Sequence, residues 1–348
     1  MAYTSIDDPT IYFTTNLRSG LYGGSNTAFN IGFQPDVIWN KKRNGTGVHS
    51  LFDSVRGFGA SGKVLYPHTS DDEANNALIA SVSSTGFTVT ASSDDTGSMV
   101  DWCWKAGTSF SNDASATSVG TIDSTGSVST DAGFSIVSYT GTGSAGTIKH
   151  GLSVAPSMVI IKNRDDGQSW RVGVTSIGFD KYLGLNGTGA STSSSGMFNN
   201  TAPTSSVFSV GTDGATNASG EKCIAYCFAN VKGYSKIGSY TGNGNNDGTY
   251  VHTGFAPAFV LIKKSSASGT SWVIFDNKRN TFNERSRILQ ANDSGAEETS
   301  ANRIDFTSNG FKLRGTWTVI NNSGDTYIYM AFAESPFVNS NGIPNNAL

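Results

Sequence analysis

The stretch CIAYCFANV, residues 223–231, decides how this chain is to be read. Two cysteines four positions apart suggest, in isolation, a metal or redox pair. The alternative is a strand whose side chains alternate between two faces. VDWCWKAG from Val100 and IYMAFAES from Ile328 have the same build. In each, one face is large: Val100, Trp102 and Trp104; Ile224, Tyr226 and Phe228; Ile328, Met330 and Phe332. The other face is small at matching positions, Cys103, Cys227 and Ala331. A cysteine that another copy replaces by alanine is a small buried residue. Cys223 shares that face, about 13 Å along an extended strand from Cys227, whereas a disulfide needs Cα atoms within about 7 Å. The stretch therefore predicts a two-faced, centrally buried strand that recurs three times.

Working outward, the copies become explicit. SYTGTGSAGTIKHGL from Ser138 and SYTGNGNNDGTYVHTGF from Ser239 each lead into a proline-started apolar run. That run ends in lysine six residues after the proline: Pro156 to Lys162, Pro257 to Lys263 and, upstream, Pro35 to Lys41. HSLFDSVRG from His49 matches SWVIFDNKRN from Ser271, with SWRVGVTSIG from Ser169 a weaker relative. STGFTV (84–89), SSVFSV (205–210) and SNGFKL (308–313) mark a further common strand. The expected organisation is an N-terminal arm (1–10), repeats at 11–107, 131–231 and 232–335, a Ser/Thr/Gly-rich linker (108–130) and a C-terminal tail (336–348). The second and third repeats are joined by almost nothing and are expected to pack as a pair.

Short β-branched and aromatic runs alternate with Gly, Asn, Asp and Ser clusters. The fold expected is all-β: tandem β-sandwich or jelly-roll, lectin-like repeats with little or no helix. DDEANNALIASV from Asp71 has helical features, but its counterpart GAEETSANRIDF does not, so both read as loops. Of 348 residues 37% are apolar and only 15% charged, with 41 glycines and a net charge of −3. No basic face with interleaved aromatics occurs, which argues against nucleic-acid binding. The N-terminus lacks a secretory signal pattern, and no apolar run approaches the roughly 18–20 residues that span a bilayer.

The opening YTSIDDPTIYF, the phrases GFQPDVIWNKKR, LFDSVRG and DWCWKAG, and the ending YIYMAFAESPFVNSNGIPNNA resemble a repeat family of tailed-phage virion proteins, common in marine phages and cyanophages. The resemblance covers nearly the whole chain. It implies a virion protein, a tail fibre or other exterior appendage, and brings no catalytic residues.

Candidate chemistry is sparse. The acidic pairs Asp71-Asp72, Asp94-Asp95 and Asp165-Asp166 lie in polar segments and read as turn residues. Asn245-Asn246-Asp247-Gly248 is a weak match to a calcium loop. His49, His68, His150 and His252 stand in no nucleophile arrangement, and the recurrence of His150 and His252 before the proline strand reads as a structural turn. Asp53 with Arg56, and Asp276 with Arg279, recur in two copies and are missing from the second. They read either as a ligand-binding pair or as a local salt bridge at a strand exit, worth little if exposed. Trp102, Trp104, Trp170 and Trp272 lie in strands and are expected in the core. Tyr22, Tyr182, Tyr250 and Trp317 lie in or beside Gly/Asn-rich segments and are the candidates for stacking on a sugar ring.

The expectation is a non-enzymatic structural virion protein without catalytic, cofactor or metal sites, made in the host cytoplasm and ending on the particle. It would be an adhesin-like fibre or appendage subunit touching bacterial surface glycan or an outer-membrane protein. Its partners would be other virion proteins, with a homotrimer expected by analogy alone, no nucleic acid and no membrane insertion. The alternatives are a capsid or tail decoration (cement) protein without receptor binding and, more remotely, a glycan depolymerase.

Overall fold

The computed structural model describes residues 3–21, 24–91 and 95–345. The chain is all-β, with antiparallel sheets and only short helices. Each repeat contains the same four-strand motif. In the first, an opening strand (Phe13–Ser19) pairs with the closing strand (Ser98–Trp104), which pairs with the proline strand (Val37–Lys42) and then His49–Asp53. The second repeat has Phe134–Thr140, Lys222–Phe228, Met158–Asn163 and Arg171–Val174 in the same order. The third has Ser235–Thr241, Thr326–Pro336, Phe255–Lys264 and Val273–Asp276. A second layer, built from the strands at Gly86–Val89, Val207–Val210 and Gly310–Arg314, closes each sandwich.

The alternation of the closing strand decides where each face goes. Ile224, Tyr226 and Phe228 enter a core shared by all three repeats, together with Val100, Trp102, Trp104, Ile328, Met330 and Phe332. Cys223, Ala225 and Cys227 face the repeat's own sandwich interior. Cys103 and Ala331 do the same in theirs. Each copy thus buries both faces of its central strand, one against its second layer and one against its sisters. This explains why the large face of every closing strand is aromatic or aliphatic throughout. At the centre Trp104 lies 5.7 Å and Phe228 5.9 Å from Phe332, ring centre to ring centre. A void of about 30 Å³ remains there, lined by residues of all three copies such as Trp39, Trp170 and Met330. Trp102, Trp170 and Trp272 are fully buried.

The packing is cyclic. His49 Nε2 meets the carbonyl of Gln290 at 3.0 Å, Trp170 Nε1 donates to that of Tyr66 at 3.0 Å, and Trp272 Nε1 donates to that of Gly184 at 2.8 Å. The three donors occupy one position of the repeat. The acceptors also share one, each following the residue (Leu289, Leu65 or Leu183) that pairs back with Ile274, Leu51 or Val172 of the strand before it. The first repeat therefore bonds to the third, the second to the first, and the third to the second. The second and third repeats do not form a separate pair; all three close on one another.

The proposed linker is also revised. Within 108–130 lie the strands Thr108–Asn112 and Ser124–Ser129, which extend the second repeat's sheet beside Phe134–Thr140. Thr108–Asn112 is the exposed edge, whereas Ser124–Ser129 lies between two strands with its small residues mostly buried and places Val128 in the second repeat's interior. The arm at 1–10 is no free arm. Ile6 enters the central core, and Thr4 donates to the Lys232 carbonyl at 2.8 Å. The tail beyond 336 meets it, with Phe337 6.4 Å from Tyr3. The glycines ahead of the proline strands, Gly32, Gly151 and Gly254, have φ of +88°, +77° and +88°, a conformation that side chains resist. No described helix is long and apolar enough to cross a membrane.

Candidate functional site

The four aromatic candidates do not converge. Tyr22 lies outside the described residues. Tyr182 is half-buried in the strand Lys181–Gly184, with the Arg171 guanidinium 4.8 Å above its ring. Trp317 is half-buried against the third repeat's interior, with Arg303 4.4 Å over its ring. Only Tyr250 stands substantially exposed, in the strand Asp247–His252, its hydroxyl bonded to Asn309 at 2.5 Å. Two of the three described rings are thus occupied by arginine, and they sit on separate elements of the second and third repeats.

The recurrent Asp/Arg pairs prove to be buried and to join repeats. Asp53 and Arg56 side chains are solvent-inaccessible, as are Asp276 and Arg279. Asp53 accepts the Tyr226 hydroxyl of the second repeat at 2.6 Å, and Asp276 accepts Trp102 Nε1 of the first at 3.0 Å. Each arginine continues to a glutamate that meets an arginine of the neighbouring repeat. One chain runs Asp53–Arg56–Glu73–Arg164 and the other Asp276–Arg279–Glu297–Arg43. At the third interface the corresponding positions are Val174, Ile177, Ser191 and Ser265, and the closing-strand partner is Met330. All five polar residues are replaced together. The missing Asp and Arg of the second repeat were therefore the visible part of a whole interface changing character. The local salt bridge at the strand exit is present in both copies, but it is buried rather than exposed, and burial makes breaking one partner costly.

His49 and His150 are structural. Trp39 Nε1 donates to His49 Nδ1 at 2.9 Å while His49 Nε2 faces the Gln290 carbonyl, an arrangement that suits only the neutral ring. His150 likewise accepts from the Leu152 amide and faces the Thr204 carbonyl. Burial pushes His150 down to about 4 and His49 well below its ordinary value. His252 is exposed and does not share this environment. The repeated lysines are buried and grip backbone: Lys41 donates to the carbonyls of Lys42, Ser294 and Gly295, Lys162 to those of Asn163 and Asp166. Lys263 donates to the Lys264 carbonyl at 2.9 Å. Burial lowers all three to about 8. Asp71, Asp72, Asp165 and Asp166 are exposed. Asp247 pairs with Lys312 at 2.8 Å, and among the described residues no group of three or more His, Cys, Asp or Glu is placed to hold a metal ion.

Asp94 lies outside the described residues, but Asp95 is no turn residue. It is fully buried and takes the Arg18 guanidinium at 2.7 Å. Arg18 also meets Asp101 at 2.9 Å, and Asp101 accepts from Asn40 at 2.6 Å and Asn16 at 3.1 Å. The strand registers give the sister residues. Arg18 corresponds to Tyr139 and Tyr240, Asn40 to Ile161 and Ile262, Asp101 to Ala225 and Tyr329. The first sandwich is thus polar where the other two are largely apolar.

A cleft opens at the same place. In the second repeat the helix Gly214–Asn217 seats against the proline strand, with Asn163 donating to the Gly214 carbonyl at 2.9 Å. In the third, Thr318–Asn321 seats against Phe255–Lys264, and Tyr240 donates to the Ile320 carbonyl at 2.8 Å. The first repeat's connection, residues 90–97, is three residues shorter than 211–221 and 315–325, and its described residues form no helix. What remains is a groove of about 430 Å³ walled by Asn40, Lys42, Ser50, Asn76 and Thr96, with Tyr66, Leu78 and Met99. Lys42 donates to Thr96 at 2.9 Å across it. A larger but more open groove of about 780 Å³ runs along the second repeat past Asn112, Asp123 and Tyr139. The smaller one is the candidate, because it coincides with the departure of one copy from its sisters. The sequence signal was available: an asparagine at residue 40 where the aligned copies have isoleucine.

A family model described as a domain of unknown function (DUF7483) matches residues 8–336. The chain belongs to that family, and the matched span takes in all three repeats that share the central core. No curated protein matches the chain.

Proposed function

We propose that this member of the family is a structural protein of a tailed-phage virion, a tail-fibre or exterior-appendage subunit that contacts the host surface. The resemblance carried by LFDSVRG, DWCWKAG and the C-terminal phrase supplies the setting. The observation that carries the contact role is the polar groove in the first repeat, set on a platform that three interlocked sandwiches hold rigid. Its walls offer amides, hydroxyls and one ammonium, the groups of a surface that binds. The threefold arrangement expected of three chains is supplied by one, so the role does not require a homotrimer.

The test is to locate the protein on the particle by antibody labelling or cryo-EM, and to ask whether purified chain competes with phage adsorption. Label at the tail tip or on an exterior appendage, with competition, is the expected result. Label on the capsid without competition would favour a decoration protein, and absence from the particle would overturn the proposal. Loss of host capsular polysaccharide on incubation would overturn its non-enzymatic part.

A further inference from the structure

We infer that the groove of the first repeat is a saccharide site, taking one or two sugar units with a preference for an acidic one. The inference rests on the host-contact reading for the origin of the glycan, but the chemistry stands on the groove itself.

Three observations converge. The groove is the seat that the sister repeats fill with a short helix against the proline strand, which carries Ile161 or Ile262 at the position of Asn40. Here the corresponding residue is Asn40, so the seat has become polar, and no helix occupies it among the described residues. The sister helices bury Ala215 and Ile320, together with Thr216, Asn217 and Asn321, beside a proline strand that carries isoleucine at this position; here the wall presents a hydrogen-bonding amide instead. Secondly, the floor is fixed in advance. Asn40 is tied to Asp101, which Arg18 grips in turn, all of them buried. A preorganised side chain loses little freedom on binding. Thirdly, the composition suits a sugar. Amide and hydroxyl groups at Asn40, Ser50, Asn76 and Thr96 can serve ring hydroxyls, and Tyr66 supplies an aromatic ring. No described carboxylate lines the groove, and Lys42 gives the acidic preference. The volume of about 430 Å³ falls in the range of small-ligand sites.

The experiment uses the full chain in calorimetric or saturation-transfer NMR titrations with glucose, galactose, N-acetylglucosamine and glucuronate. Saturable binding is expected, tightest for glucuronate. Lys42→Met should weaken glucuronate about tenfold, the scale of one charge-assisted hydrogen bond, and leave the neutral sugars nearly unchanged. Val48 lines the groove and is 48% exposed, so Val48→Trp should fill it at little cost to folding and abolish binding of every sugar. Tyr250→Leu, outside the groove, should change nothing. A melting temperature equal to that of the parent guards against misfolding. No saturable binding to any of the four sugars, or binding that survives Val48→Trp, would overturn the inference. If whole chain bound host cells and Val48→Trp bound them equally, the site would be refuted while the host-contact reading stood. Sugar binding without cell binding would refute the reading and leave the site.

Discussion

The Tyr226 hydroxyl of the second repeat donates to Asp53 of the first at 2.6 Å, and the third repeat repeats the relationship with Asp276 and Trp102 of the first. A hydrogen-bond donor on the closing strand is matched by a buried Asp–Arg pair on the neighbour. At the remaining interface Met330, which has no donor, is matched with Val174 and Ile177 in the positions of the Asp–Arg pair. The two solutions are alternatives, and mixing them should be worse than either. Asp53→Val strips the buried Arg56 of its close carboxylate, leaving only the 3.4 Å contact to Glu73, and should cost about 3 kcal/mol in denaturant unfolding. The triple variant Asp53→Val, Arg56→Ile, Tyr226→Met installs the buried three of the third interface's five positions, leaves Glu73 with Arg164, and should lose less than the single one. A triple variant as unstable as the sum of its parts would contradict this.

The two neutral histidines make the fold acid-sensitive above the range where carboxylates titrate. Burial depresses both, so the unfolded chain takes up the proton first, near its ordinary value of about 6.5. Stability is then complete above about pH 6.5 and is lost as pH falls through that value toward 4. For His150, held at about 4, the full loss is about 3 kcal/mol. Unfolding midpoints measured between pH 7 and 5 should fall in the parent and fall less steeply in His150→Gln.

The three cysteines are core residues, and burial raises Cys223 and Cys227 to about 12. Thiol reagents at neutral pH should label none of them in the native protein and all three in denaturant. Cys227→Ala, which installs the residue found at Ala331, should cost no more than about 1–2 kcal/mol. Native labelling faster than global unfolding would mean that the closing strand is not central.

Lys162 is the recurrent lysine whose ammonium holds the Asn163 and Asp166 carbonyls. Lys162→Met keeps the stem and strands those acceptors, so a loss of about 1–3 kcal/mol is expected. The exposed Lys222→Met should stay within about 0.5 kcal/mol. Equal effects at the two sites would refute the structural role of the repeated lysine.

Much of this was legible in the sequence. The two faces of CIAYCFANV, the three copies and the buried tryptophans follow from period-two alternation and repetition. What stayed hidden depended on contacts between copies. Nothing adjacent to Asp53 points to Tyr226, 173 positions away, and the pair reads locally as a strand-exit salt bridge. Thr108–Asn112 reads as linker because an edge strand needs few apolar residues. Asp95 reads as a turn residue because its partner, Arg18, lies 77 positions earlier. The groove had a signature in the unmatched polarity of Asn40, Arg18 and Asp101, legible only once the repeats are in register.

The central claim is that three copies form one cooperative unit around a shared core. The direct measurement is equilibrium unfolding of the full chain beside a chain of residues 108–345. The account predicts a single transition for the full chain, coincident by tryptophan fluorescence and circular dichroism, and no cooperative native state for the shorter one. That piece would expose the inner faces that Trp39, Trp102 and Trp104 now cover. A fragment that unfolds cooperatively at the full chain's midpoint would contradict it.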